Sequence, residues 1–218
     1  MFPAQRSALV MKLFVHIQPH REVLSWADMA NASSKRAALH AYTLRCLRHC
    51  LGLSDCQALH IQYNVHGKPH LIDHPEWQFS LSHSKHHFAL VCGQTDSALG
   101  IDIESYPRNI RAAVIDASLS PQEQLHYQQA VEPLRYWLQV WTIKEALLKA
   151  AGTGIQQDLR CLNTGFDGKK TQGHITLPPH SYTYQNHDHD DCVWTLAWQQ
   201  PANTVEWHDL VLPASTKD

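Results

Sequence analysis

Residues 134–151, LRYWLQVWTIKEALLKAA, carry apolar side chains almost all the way round a helix. At 100° per residue, Leu134, Leu138, Trp141 and Leu148 fall within about 40° of one line. Tyr136, Val140, Ile143 and Leu147 form a second apolar face on the other side. A helix apolar on both sides is normally buried, so the rest of the chain has to cover it. Glu145 breaks the pattern, because it lies roughly 20° from Leu134, inside the first stripe. Burying an unpaired carboxylate is costly, so Glu145 needs a partner, a proton or a metal. Lys149 sits one turn further on and offers an ion pair. Such pairs usually occupy polar faces, and this one does not.

A second segment, Gly100-Ile101-Asp102-Ile103-Glu104, reads as a strand. Alternate strand side chains share a face, so Leu99, Ile101 and Ile103 point one way. Gly100, Asp102 and Glu104 point the other, and the two acids are roughly 7 Å apart along the strand. Gly100 clears room on the acidic face for something bulky. Alone, such a pair reads as two solvated acids on a half-exposed strand. With Glu145 it offers three oxygen ligands to one hard cation, with Lys144 and Lys149 beside them. That combination suits magnesium and phosphate.

The 218 residues fit one large domain or two small lobes sharing a core. A hydrophobic fraction of 44% supports a packed interior, and 17% charged residues argue against disorder. The net charge of −2 offers no basic field, so nucleic acid is not an expected partner. The six cysteines form no C-x-x-C pair and read as reduced thiols. Leu9 to Ile17 is a short apolar run interrupted by Lys12, without a cleavage-type sequence after it, and reads as a first strand. No run approaches the ~20 apolar residues of a membrane span, so a cytoplasmic protein with no membrane partner is expected.

Hydropathy patterning predicts an α+β chain with mostly antiparallel strands, without regular βαβ alternation. Residues 33–50 read as a helix capped by Ser33 or Ser34 and stopped by Gly52. Strands are predicted over 59–65, 70–72, 78–82, 88–92 and 99–104. Between 105 and 120 lies a linking segment with a short helix, Ile110 to Ala117. Ser120-Pro121-Gln122-Glu123 has the form of a capping box with proline at the first helical position. After Gly152-Thr153-Gly154, strands are predicted over 162–166, 174–177, 181–184 and 193–198.

Other segments are weaker on their own. Phe79-Ser80-Leu81-Ser82-His83-Ser84 is a strand running into a polar turn, and its donors suit phosphate oxygens at one spot. A serine-hydrolase reading finds no G-x-S-x-G to support it. Gly67-Lys68-Pro69 is a tight turn with its lysine held out. Lys35-Arg36 opens a helix that also carries Arg45 and Arg48. Of the 17 histidines, His180, His187 and His189 fall in a tract that reads as a polar hairpin, with a transition-metal site as the other possibility.

Taken in order, these segments resemble the Sfp-type 4'-phosphopantetheinyl transferases. That family is marked by a G-K-P turn, an F-x-[IL]-S-H-S strand end, a G-[IV]-D-[IV]-E strand and a W-[ST]-x-K-E-[AS]-x-x-K helix. The matching segments here are Gly67 to Pro69, Phe79 to Ser84, Gly100 to Glu104 and Trp141 to Lys149, followed by Gly152-Thr153-Gly154. The resemblance covers about residues 33–166. It implies two similar α+β lobes related by a pseudo-twofold, each a small antiparallel sheet packed on a long helix. The lobes would be 1–98 and 99–218, with the active site in the cleft between them.

The resemblance also implies a reaction. Coenzyme A would be the substrate, and a serine of an apo carrier protein (acyl, peptidyl or aryl) the acceptor. Adenosine 3',5'-bisphosphate would leave. Asp102, Glu104 and Glu145 would bind magnesium. Lys149 would stabilise phosphate charge, and Glu145 or a metal-bound water would be the base. Arg36, Lys68, Ser82 and His83 would hold the nucleotide phosphates, with His83 near the 3'-phosphate. Arg111 and Glu123 also have counterparts in the family. The enzyme would be of holo-[acyl-carrier-protein] synthase type and act as a monomer. Its carrier would dock along 105–133, a stretch whose length and glutamines depart from the family. The alternative is a non-catalytic relative that holds coenzyme A or a carrier, and the intact set Asp102, Glu104, Glu145 and Lys149 argues against it.

Overall fold

The computed structural model describes residues 10–29, 34–106, 109–156, 158–200 and 204–212. Leu9 and Ser33, named above, lie outside them. The chain opens with strand β1 (Val10–Pro19), followed by helices α1 (His20–Met29) and α2 (Lys35–Leu51). Two short strands, β2 (Ile61–Tyr63) and β3 (Pro69–Leu71), form a hairpin of their own. Then come β4 (Trp77–His83), β5 (His87–Gln94) and β6 (Leu99–Ser105). Three helices follow: α3 (Ala112–Ser118), α4 (Pro121–Gln129) and α5 (Pro133–Ala151). The chain closes with β7 (Gln172–Leu177), β8 (His180–Asp188), β9 (Cys192–Gln199) and β10 (Thr204–Asp209).

Two four-stranded sheets dominate, ordered β10-β1-β5-β4 and β6-β9-β8-β7. They pack face to face and each carries one long helix on its outer side, giving the layers α2, first sheet, second sheet, α5. Tyr42, Cys46 and Leu47 of α2 pack on Phe79, Phe88, Leu90 and Cys92. Between the sheets Leu13, Val15, Ala89 and Val91 meet Leu99, Ile101, Ile103, Trp194 and Leu196. On the far side Leu138, Ile143, Ala146 and Leu147 of α5 pack against Tyr182, Tyr184, Val193 and Ala197. This layering explains why β5 is apolar on both faces: one supports α2 and the other meets the second sheet.

Local chemistry sets the helix ends. Ser34 accepts a hydrogen bond from the amide of Ala37, and Gly52 closes α2 at φ 68°, a left-handed conformation that suits glycine. The predicted capping box at Ser120 and Glu123 is formed. Pro133 opens α5 and Gly152 closes it.

Three expectations are corrected. Residues 162–166 are not a strand. Their backbone is held by side chains: Thr164 N donates to Glu123 Oε1, and Phe166 O and Thr164 O accept from the hydroxyls of Tyr136 and Tyr184. Helix α1 has no counterpart among the predicted elements. Strand β10 was also missed, and it pairs in parallel with β1, so the first sheet is not purely antiparallel. By sequence β10 follows residue 98, but by hydrogen bonding it belongs with the first sheet.

Candidate active site

Strand β6 places its acids as alternation requires. Leu99, Ile101 and Ile103 face the first sheet, while Gly100, Asp102 and Glu104 face α5. The bulk for which Gly100 makes room is the helix backbone itself. A Cβ at Gly100 would lie 2.0 Å from the Ala146 carbonyl oxygen and 2.5 Å from the Ala150 nitrogen. That contact brings α5 down onto β6 beside Asp102.

On α5, Trp141, Glu145 and Lys149 are half-buried, while every other residue from Thr142 to Ala150 is buried. The spacing i, i+4, i+8 makes them one line along the helix. Lys149 Nζ lies 2.7 Å from Asp102 Oδ1 and 2.8 Å from Ser82 Oγ. Ser82 Oγ donates to the same Asp102 oxygen at 2.7 Å. Asp102 is 5% exposed, and its other oxygen, Oδ2, is buried without a hydrogen-bond partner. Burial pushes the Glu145 carboxyl up to about 6, and the Asp102 and Glu104 carboxylates add to the rise while Lys149 opposes it. The site thus gathers three carboxylates around one ammonium group.

Those observations test whether a cation fits. The donors are all oxygens, one of them is a buried carboxylate oxygen with no partner, and negative charge is in excess. A hard divalent ion such as magnesium suits all three properties. Among the described residues, the group of three metal-type donors that closes to within 4.8 Å lies elsewhere, at His87, Asp191 and Cys192.

Lys144 does not join this site. It points the opposite way, is 1% exposed, and pairs with Glu123 at 2.6 Å. Its ammonium also donates to the carbonyls of Ser118 and Leu159. The expected pair of lysines is therefore one lysine, because adjacent helix positions diverge by about 100°. What Lys144 does instead is fix the rotation of α5, with Glu145 turned to the cleft.

The cleft has two connected parts that share Tyr63 and Leu81. The smaller, about 300 Å³, is lined by Lys68, Glu145 and Lys149, with Gly152 and Gly154 at its edge. The larger, about 940 Å³, is lined by Lys35, Arg36, His40 and His83. Glu145 thus shares the smaller part with two lysines, while Lys35 and Arg36 line the larger one.

Lys68 is not held out from its turn. Its Nζ donates to the Ala150 carbonyl at 2.6 Å, one of the unpaired carbonyls at the end of α5. Burial lowers its ammonium to about 8. Nor do Ser82, His83 and Ser84 present donors at one spot. Ser82 is committed to Asp102 and Ser84 to Ser105 at 2.6 Å, while exposed His83 alone faces the larger cavity. The histidine tract is the predicted hairpin. His187 stacks on Trp194 at 3.9 Å.

Comparison with known proteins is consistent with this geometry. A family model described as the 4'-phosphopantetheinyl transferase superfamily matches residues 98–205. The chain is 29% identical over 151 residues to the 4'-phosphopantetheinyl transferase psf-1 of Bacillus pumilus, covering 67% of this chain and 62% of that protein. It is 28% identical over 113 residues to a 4'-phosphopantetheinyl transferase of Bacillus subtilis, covering 51% of this chain and 48% of that one. Against a holo-[acyl-carrier-protein] synthase of Neisseria meningitidis it is 33% identical over 92 residues, covering 39% of this chain and 69% of the relative. The chain therefore spans less than two thirds of the length of the Bacillus proteins it matches. No helix among the described residues is long and apolar enough to cross a membrane.

Proposed function

The chain belongs to the 4'-phosphopantetheinyl transferase superfamily, and on that premise we propose that it moves the phosphopantetheine arm of coenzyme A onto a serine of an apo carrier protein. The observation that carries the proposal is the cluster of Asp102, Ser82 and Lys149, with Glu145 beside it, at one end of a cleft whose other end is lined by Lys35 and Arg36.

Asp102, Glu104 and Glu145 would hold a magnesium ion. When bound, it would draw charge from the pyrophosphate of coenzyme A. Arg36 and His83 line the larger cavity and would take the nucleotide phosphates there. Lys68 and Lys149 line the smaller one, where the pyrophosphate would lie. Lys149 would then exchange part of its hold on Asp102 for a phosphate oxygen and stabilise charge as it develops in the transition state.

The carrier serine oxygen forms a bond to the phosphorus that bears pantetheine. The bond from that phosphorus to the adenosine 3',5'-bisphosphate oxygen breaks, and the bisphosphate leaves. The serine proton would pass to Glu145 as general base. Ser82 keeps Asp102 oriented through its 2.7 Å hydrogen bond.

A monomer acting in the cytoplasm completes the proposal, with the carrier docking along α3 and α4. The test is incubation of the purified chain with coenzyme A, magnesium and an apo acyl carrier protein. The proposal expects the carrier to gain the mass of phosphopantetheine. A carrier that binds without gaining mass would favour a non-catalytic relative instead.

A further inference from the structure

His87 meets the adjacent pair Asp191 and Cys192, about a hundred residues away in the chain, at the seam between the two sheets. His87 opens β5 of the first sheet, Asp191 lies in the turn between β8 and β9, and Cys192 opens β9 of the second. Their donor atoms all lie within 4.8 Å of one another, with His87 Nε2 3.1 Å from Asp191 Oδ2. From this geometry we propose a second metal site, specific for zinc or a similar borderline divalent ion, that clasps the two sheets together.

The donor set decides the ion. One imidazole nitrogen, one sulfur and one carboxylate oxygen suit zinc, whereas magnesium takes oxygen ligands alone. The cluster also has the support that histidine ligands need. Metal-bound histidines are usually held through their second ring nitrogen. Here His87 Nδ1 is 2.9 Å from Ser105 Oγ, which is itself 2.6 Å from Ser84 Oγ. Ser105 thus holds the ring through its second nitrogen, and Ser84 supports Ser105 and accepts from the His87 amide.

Exposure matches an open site. His87 and Cys192 are buried at 7% and 4%, while the Asp191 side chain is 72% exposed. An ion can therefore enter past Asp191, bind the three groups and keep a fourth position for water. On binding, the Cys192 thiol gives its proton to solvent and its sulfur bonds the metal. Without the metal, the His87 and Asp191 contact is a hydrogen bond, and the clasp is weaker. The bound ion would also steady the turn after β4, which carries Ser82 and His83. The site shares no residue with the carboxylates of the cleft and does not depend on the transferase reading.

The test is titration of the full chain with cobalt(II), a spectroscopic probe for zinc sites, in excess magnesium. One equivalent should bind and give a thiolate-to-cobalt absorption band in the near ultraviolet. The band should persist in Asp102→Asn and vanish in Cys192→Ser. Asp191→Asn changes an exposed side chain and so guards against misfolding as an explanation. It should weaken cobalt affinity at least about tenfold and reduce the rise in melting temperature on adding zinc. No thiolate band in the wild type, a band that survives Cys192→Ser, or affinity unchanged in Asp191→Asn would each overturn the proposal.

Discussion

Lys149 Nζ sits 2.7 Å from Asp102 Oδ1, joining the last turn of α5 to the middle of β6. Ser82 of β4 donates to the same oxygen, so the contact gathers three elements from both sheets. The other Asp102 oxygen is buried without a hydrogen-bond partner. A lysine so placed is available to a phosphate as well as to the aspartate. Replacing it with methionine should lower the transfer rate about 100- to 1000-fold, the range typical of a lost electrostatic donor. Steady-state kinetics with coenzyme A and a carrier would measure this, and should show the loss in kcat rather than KM.

Glu145 should cost stability above neutral pH. Its folded value of about 6 lies above its ordinary value of 4.5. The folded chain thus holds this proton more tightly than the unfolded one. The stability it contributes is complete below pH 4.5 and is lost as pH rises through 6. Glu145→Gln should therefore be more stable than the wild type at pH 8 in chelator, by up to about 2 kcal/mol, and not at pH 4. Denaturant melts at both pH values would show it.

His187 should do the reverse at acid pH. Burial against Trp194, with a smaller effect from His189, lowers it from 6.5 to about 4. The unfolded chain takes up this proton first, so stability is lost as pH falls from 6.5 towards 4. The loss is up to about 3 kcal/mol, less what solvent screens at a half-buried ring. His187→Leu should flatten that part of the stability profile. A wild-type profile unchanged by the substitution would contradict the assignment.

The ion pair of Lys144 with Glu123 is fully enclosed, both side chains being 1% exposed. Lys144→Met strands the Glu123 carboxylate and should cost about 3 to 5 kcal/mol. Adding Glu123→Leu should recover little of that, because the buried amides of Ser120 and Thr164 then lose their acceptor. Urea melts of the single and double variants would show both effects.

Gly100→Ala should damage the fold. The added methyl meets helix backbone at 2.0 Å, and no side-chain rotation relieves it. A cost of about 3 kcal/mol or more is expected, through the forced separation of α5 from β6. Thermal melts would register it, and an unchanged midpoint would mean that the helix does not lie where described.

Much of this was legible from periodicity. The 2-residue alternation at Gly100 to Glu104 put Asp102 and Glu104 on one face, and the helical wheel singled out Glu145. The serine cap at 120 and the glycine stops at 52 and 152 were readable because each is a local device. What escaped depended on distant partners. Strand β10 is short and pairs with the other end of the chain, although Val205 and Trp207 carry the alternation that marks it. Residues 162–166 looked extended and apolar, yet their backbone partners are the distant side chains of Glu123, Tyr136 and Tyr184. Helix α1 follows β1 directly at His20, with none of the usual capping residues at its start. The opposite directions of Lys144 and Glu145 follow from the wheel, but only the buried carboxylate at Glu123 explains why a lysine is tolerated there. The His87, Asp191 and Cys192 cluster could not be read at all, since one member is about a hundred residues from the others.

The most direct test of the whole account is the rate of phosphopantetheine transfer to an apo acyl carrier protein by the wild type and by Asp102→Asn, at saturating magnesium and coenzyme A, with both proteins shown to be folded. The substitution keeps the size of the side chain and removes its charge. A wild-type protein that labels the carrier, and a variant slowed at least about 100-fold, is the predicted result. Equal rates would contradict the placement of the active site at Asp102.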